Sequence, residues 1–347
     1  MAFYDFLFSQ ESVRAWCDEG ADGGGGLVSL SELMAGNDAD EGFNIAEMPF
    51  PSMDALNEAC PALPKARTLP EGLEDGFLYI KDWLKFVLDP LTQPLSWALD
   101  GALGVIETLP WFIIIPALLV LVWYVTRSRG LVIGVAAGII GLAFIDHYDE
   151  AMQTLAIIFV CAIICVLLGV PLGIAMSRSN RLEQGVIPIL DMLQTLPPFV
   201  YLIPLIFLFS VTEPKLYGIA IILYAIVPVV RLTNLGIRLV DKNVMEAADA
   251  FGMTDRQKLF GVQIPLALPT IMAGVNQTIM MSLAMVVIAS LVSAPGLGVL
   301  VLRGIRNLEL GVGLVSGLGI VLLAIILDRV TKTSLDRLNG GGSQKRS

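Results

Sequence analysis

Between residues 108 and 327 the chain carries seven stretches with no charged side chain: 108–126, 130–145, 151–177, 192–212, 216–230, 261–302 and 310–327. Charged residues are confined to the short loops between them. A helix needs roughly 20 apolar residues, and no fewer than about 17, to cross a bilayer. The pattern therefore predicts an all-α polytopic membrane protein with about seven transmembrane helices. A hydrophobic fraction of 55% and a charged fraction of 16%, with a mean hydropathy of +0.75, agree with that class.

Three stretches need comment. Residues 130–145 and 216–230 are short for a span; the second can extend past Arg231, whose long side chain reaches the headgroups. Residues 261–302 are too long for one span and awkward for two. One helix kinked near Pro269 and a re-entrant turn around Pro295-Gly296-Leu297-Gly298 fit better. Such a turn must be covered by protein or water, because bare backbone is not tolerated in lipid.

Lys and Arg set the orientation. With seven spans and the N-terminus outside, the cytoplasmic segments hold 14 of them, from Arg127 to Arg346, and the external loops only Lys215, Arg303 and Arg306. The net charge of −10 divides unevenly along the chain. Residues 1–107 hold 19 acidic and 5 basic side chains, whereas 108–347 hold 13 and 17. An acidic tail is thus joined to a mildly basic membrane domain. The tail opens with no secretory signal pattern. It contains a glycine linker at 20–26, and prolines 49, 51, 61, 64 and 70 break any long helix there. Just before the first span, Ile80, Trp83, Leu84, Val87, Leu88 and Leu91 recur at helical spacing with Lys81, Asp82, Lys85 and Asp89 between them. This predicts an amphipathic helix on the membrane surface or packed on the protein itself. The expected layout is an external tail over 1–75, an interfacial segment over 76–107, a membrane domain over 108–330 containing a loop at 239–265, and a cytoplasmic tail over 331–347.

The chemistry open to the chain is narrow. His147 is the sole histidine, and Cys17, Cys60, Cys161 and Cys165 have no metal-ligand spacing, so no metal site is expected. Cys161 and Cys165 read as small core residues; Cys17 and Cys60 can pair if the tail meets an oxidising space. An intramembrane enzyme would need a nucleophile with its base, or a metal set, and neither is present. No Gly-x-x-x-x-Gly-Lys-[Ser/Thr] occurs, so the chain holds no ATP by a P-loop. An ion-coupled secondary transporter would usually bury charges mid-membrane, whereas Asp191, Arg231 and Asp328 sit at span ends.

The loop 239–265 is the most specific feature. Asn243 is the expected N-cap of a short helix in which Val244, Ala247, Ala248 and Phe251 share an apolar face, while Glu246 and Asp249 point elsewhere. Gly252 stands at C′, and Thr254 with Gln257 forms a capping box for a second helix. Pro265 stiffens the entry into the next span. Ala247 and Ala248 have no bulk beyond Cβ and let another surface approach. Any helical loop needs caps, so Glu246-Ala247-Ala248 alone says little. The full spacing says more: Glu-Ala-Ala, three residues, Gly252, nine residues, Val262, one residue, Ile264, Pro265, in a cytoplasmic loop before the penultimate span.

That spacing resembles the signature loop of the membrane subunits of binding-protein-dependent ABC importers. The flanking runs Leu190 to Pro197, Phe199 to Pro204, Pro228 to Arg238 and Pro269 to Thr278 are similar to the glycine betaine/proline betaine permease branch. The resemblance covers about residues 95–335 and implies a type I importer permease fold in the bacterial inner membrane. It also implies a homodimeric pore, two cytoplasmic ATP-binding subunits, an external (periplasmic) substrate-binding protein, and no nucleic-acid partner. ATP and Mg would sit on the partner ATPase, with no cofactor on this chain and no enzyme activity of its own. Glu246, Ala247, Ala248, Gly252, Val262, Ile264 and Pro265 would form the ATPase-coupling loop. Phe199, Tyr201, Asn276 and Gln277 are candidates for the translocation path, with helix packing as the competing role. Pro295, Gly296 and Gly298 are candidates for an external gate. Val262 and Ile264 replace the commoner Ile and Leu, and Pro295 replaces a usual Gly-rich turn. All five Trp lie in the tail and first span, so an aromatic cage for a quaternary ammonium is expected on the binding protein. Choline or an amino-acid-like solute remains an alternative cargo.

Overall fold

The structure, a computed structural model, describes residues 13, 14, 17, 52–63, 66 and 68–343. The expected glycine linker at 20–26, and the basic residues Lys345 and Arg346, lie outside the described residues. The chain divides into two units, Met1–Leu84 and Lys85–Ser347.

In the first unit, α1 (Met53–Ala59) is capped by Ser52, whose Oγ accepts from Ala55 N at 3.2 Å. It ends at Cys60, which forms a disulfide with Cys17. Asp54 Oδ1 accepts from the Ala66 amide at 2.8 Å. The long helix α2 (Thr68–Thr108) starts in this unit. Pro70 does not break it: the residue sits in the first turn, where its missing N–H has no intrahelical partner to lose. The 75/76 boundary falls inside this helix.

In the second unit, α2 continues through Pro90 and Pro94 to Thr108. Leu95 and Leu99 pack against Gly218, and Asp89 pairs with Lys215 at 2.8 Å. Helices α3 (Trp111–Thr126) and α4 (Arg129–Phe144) are apolar but only 16 residues each, about 24 Å long. Val122, Val135, Ile139 and Leu142 bury them against Leu323.

The centre is built from α5 (Tyr148–Arg178), α8 (Pro214–Arg238) and α11 (Ile264–Ala289). In lipid there is no hydrophobic drive between helices, so close backbone approach holds them. Gly169 faces Val229, Gly173 faces Thr233, Gly236 faces Thr270 and Gly274 faces Leu232. Cys161 and Cys165 are unpaired and buried here, as small core residues.

Residues 192–212 do not form one straight span. Helices α6 (Asn180–Thr195) and α7 (Pro198–Leu208) meet at a 98° bend. The cause is Pro197-Pro198: proline disfavours the helical region for the residue before it, and both Leu196 (ψ 131°) and Pro197 (ψ 135°) are extended. The long stretch 261–302 breaks near its expected turn. A π-type turn (Leu259–Gln263) leads into α11, which contains Pro269; Ser293 (φ 71°) and Gly296 (φ 116°) then reverse the chain into α12 (Leu297–Arg306). Helix α13 (Leu310–Ser343) runs on through most of the segment expected as a cytoplasmic tail.

Among the described residues, four helical runs are long and apolar enough to cross a membrane: Tyr148–Arg178, Pro214–Arg238, Asp255–Val292 and Leu310–Leu335. The α6–α7 pair, counted as one bent span, makes five. The remaining two of the seven expected stretches are the short helices α3 and α4.

Candidate functional site

Two residues separate the end of α8 from the N-cap of α9 (Lys242–Ala250). That cap is Asp241, not Asn243: its carboxylate accepts from Asn243 N at 2.8 Å. A carboxylate there both satisfies a free amide and faces the positive end of the helix dipole. At the other end Gly252 takes φ 73°, Met253 N donates to Ala248 O at 3.1 Å, and Gly252 N to Asp249 O at 2.9 Å. These two bonds form a Schellman motif. Thr254 and Gln257 form the expected capping box for α10 (Asp255–Lys258). Lys258 bridges Asp249 at 2.7 Å and Asp255 at 2.9 Å, tying the two helices together. Arg178, the last residue of α5, donates to Asp255 O at 2.9 Å and anchors the loop to the membrane core.

Of the expected apolar face, only Ala248 is buried. Val244 is exposed, Phe251 is 87% exposed and Phe260 67% exposed. A capped, internally tied loop with two open phenylalanines has the make-up of an interaction surface. The predicted residues divide between two tasks. Glu246, Ala247 and Gly252 lie on the exposed platform, whereas Ile264 packs with Ile237, Leu259, Ala267 and Ile271 at its base. Val262 is half-buried beside it, and Pro265 is exposed in the first turn of α11. Phe260 went unnoticed in the sequence because it adjoins an apolar span and reads as part of it.

The four candidates for the path are not gathered into one site. Tyr201 is buried and its hydroxyl lies 3.9 Å from Met285 Sδ. Asn276 donates to Asp328 Oδ1 at 3.0 Å, while Phe199 and Gln277 are exposed. Two cavities, of about 760 Å³ and 480 Å³, are lined by other residues. Thr233, Thr278 and Ser282, all fully buried in the α8 and α11 spans, carry hydroxyls without a partner among the described residues. A lone hydroxyl in an apolar stretch gave no signal by which to single them out.

The turn at 293–298 is wedged against α5. Leu297 N donates to Thr154 Oγ1 at 2.9 Å, and a side chain at Gly296 would strike that same oxygen. At Gly298 a Cβ would sit 3.0 Å from Val287 Cα. Pro295, just before Gly296, is half-buried. Asp191 of α6 pairs with Arg231 of α8, and Asp328 with Lys332 at 2.8 Å within α13. Among the described residues, no group of three or more His, Cys, Asp or Glu is arranged to hold a metal ion.

With this geometry in hand, similarity to known proteins is informative. The pattern of the family described as binding-protein-dependent transport system inner membrane component matches residues 165–339. The chain is 38% identical over 289 residues to the glycine betaine/proline betaine transport system permease protein ProW of Escherichia coli strain K12, covering 83% of this chain and 81% of that one. It is 38% identical to the glycine betaine transport system permease protein OpuAB of Bacillus subtilis strain 168, covering 72% and 90%. It is 39% identical to the glycine betaine/carnitine transport permease protein GbuB of Listeria monocytogenes, covering 73% and 94%. Among solved structures, an inward-facing form of the MetNI methionine ABC transporter matches 55% of this chain and 95% of its own, with a TM-score of 0.50 and 18% identity.

Proposed function

The chain belongs to the inner membrane components of binding-protein-dependent transport systems, and from that premise we propose that it carries glycine betaine or proline betaine-type solutes across the membrane. It is a multi-pass transport subunit of an ABC importer rather than an enzyme. The observation that carries the solute class is the 38% identity to ProW over 81% of that protein. The partners in this proposal are two ATP-binding subunits that hold ATP and Mg, an external binding protein, and a second copy of this chain.

Loop 239–265 is then where the ATPase docks. Closure of the ATPase pair draws the loops of the two copies together and turns the pore outward; a ligand that favours one of two states shifts the balance toward it. The exposed pair Phe251 and Phe260, held by the caps of α9 and α10, supports this assignment.

The proposed orientation places the N-terminus outside and the C-terminus in the cytoplasm. Three features support it. Lys and Arg favour the loops it places inside. The Asp89–Lys215 pair joins two segments that it puts on the same, external side. Cys17 and Cys60 are joined, as expected in an oxidising compartment. In intact cells, both thiols are therefore expected to resist a membrane-impermeant maleimide until an external reductant is added. Labelling of either without reductant would show an open pair, and no labelling even after external reductant would place the tail on the reducing side. The exposed side chains of Trp83, Phe86, Leu91 and Trp97 on α2 support an interfacial position for that helix.

The test is uptake of labelled glycine betaine into vesicles holding this chain with its ATPase and binding protein, with and without internal ATP. Uptake that needs both ATP and the binding protein supports the proposal. Hydrolysis stimulated by another solute, with no betaine uptake, would discard the cargo and keep the importer; uptake driven by an ion gradient without ATP would discard the proposal.

A further inference from the structure

The guanidinium of Arg238, in the last turn of α8, is bonded on every nitrogen. Nε donates to Asn234 Oδ1 at 2.9 Å, Nη1 to Asn180 Oδ1 at 2.8 Å and Nη2 to the Met176 carbonyl at 2.9 Å. Nη2 also pairs with Glu183 Oε2 at 2.9 Å. The second carboxylate oxygen, Glu183 Oε1, accepts from Asn234 Nδ2 at 2.7 Å. One side chain thus joins the end of α5, the start of α6 and the end of α8. The Arg238 side chain is 31% exposed and Glu183 22%, so the cluster is partly shielded, and its network sets it apart from an isolated surface pair.

A second tie lies further along the same two helices, where Asp191 of α6 pairs with Arg231 of α8. Beside the second tie, Leu190 is buried with Val227, Val230 and Met176. Helix α6 is therefore tied to α8 through Glu183 and Asp191 and packed on it through Leu190. The positions of these two helices in the chain give that strap a direction. Beyond Arg238, α8 enters the loop within two residues; beyond Thr195, α6 reaches the 98° break, and α7 begins.

We propose that Arg238 is a positioning residue: with Glu183, Asn234, Asn180 and the Met176 carbonyl, it makes α6 follow α8, so that displacement of loop 239–265 is delivered to the broken α6–α7 span. This role rests on that loop being the ATPase-docking element. Hydrogen-bond networks and rigid helices are the physical carriers of such coupling. A planar guanidinium meets four acceptors in fixed directions, which an ammonium on a flexible stem does not reproduce.

The experiment uses the whole complex in liposomes, with labelled glycine betaine uptake and ATP hydrolysis measured in the same vesicles. Arg238→Met is expected to lower uptake per ATP hydrolysed by about 5- to 150-fold. Arg238→Lys and Glu183→Gln lower it less, and all three keep normal membrane levels and stimulated hydrolysis. Uptake and hydrolysis falling together at an unchanged ratio would overturn the role and leave the network as a structural tie. Failure of all three variants to accumulate in the membrane would overturn it equally. Gly252→Val separates the two levels. If that variant is uncoupled while Arg238→Met stays fully coupled, the failure belongs to the network alone; full coupling in Gly252→Val removes the docking loop itself.

Discussion

Replacing Gly252 by valine is expected to cut ATP-driven uptake by roughly tenfold or more while leaving the protein in the membrane at its normal level, a loss within the usual span of coupling energies. The reason is local and conformational. Gly252 takes φ 73°, and the two bonds that close α9, from Met253 N to Ala248 O and from Gly252 N to Asp249 O, require that conformation. A β-branched residue is a severe outlier there, at about 1–3 kcal/mol. A Cβ at this position meets nothing within 4 Å, so the penalty is strain rather than collision. Helix α9 has nine residues, too short to persist without its caps, and it yields before the membrane core does. The Lys258 bridge and the orientation of Phe251 are lost with it. Gly252→Asn is the control, because asparagine tolerates the left-handed region and should keep most of the activity. The measurement is uptake and hydrolysis in reconstituted complexes. Normal uptake in Gly252→Val would remove the docking role of the loop.

Features governed by local chemistry were legible in the sequence. Gly252 and the Thr254–Gln257 box depend on a few adjacent residues, and both stand where expected. The break near Pro295 followed from length alone, since 42 uncharged residues do not fit one span. Cys161 and Cys165 read as core because nothing charged lies near them. Hydropathy was a poorer guide to geometry. It made 192–212 one stretch, although Pro197-Pro198 bends it by 98°. It gave no sign that α3 stops at 16 residues, although it marked 130–145, where α4 lies, as short for a span. The cap expected at Asn243 falls at Asp241, because where α8 would end was not visible. Most long-range pairings were out of reach. Cys17 and Cys60 could be offered as a conditional pair, being the two cysteines of the tail, but Arg238 and Glu183 are 55 positions apart and nothing in that spacing says that they meet. The surroundings of the path candidates were hidden for the same reason: Tyr201 and Asn276 each have a partner on another helix, Met285 and Asp328, that only the fold reveals.

The close contact of α5 with α8 sets a second large effect. Gly173→Leu is expected to abolish accumulation of folded protein, and Gly173→Ala to lower its thermal midpoint in detergent. A Cβ at Gly173 would lie 2.6 Å from Thr233 Cβ and 2.7 Å from the Val230 carbonyl, so part of the obstacle is backbone that no rotamer change relieves. Helix α8 has little room to retreat. Its residues Gly236 and Val229 already meet α11 at Thr270 and Gly274, the latter pair with a Cβ-to-Cα separation of only 3.1 Å if Gly274 were alanine. Overpacking a filled core costs about 1–3 kcal/mol, occasionally more, and the bulk of a leucine belongs at the upper end. Gly185→Ala is the matched control: it is also helical, nothing lies within 4 Å of its added Cβ, and alanine is the better helix former by about 1 kcal/mol. Fluorescence-detected gel filtration of solubilised variants, followed by heating, separates the cases. If Gly173→Ala were as stable as Gly185→Ala, the α5–α8 contact would be looser than drawn. The strap that carries motion from the loop through α8 to α6 would then lack the rigid backing of α5 that Arg238, bonded to the Met176 carbonyl, depends on.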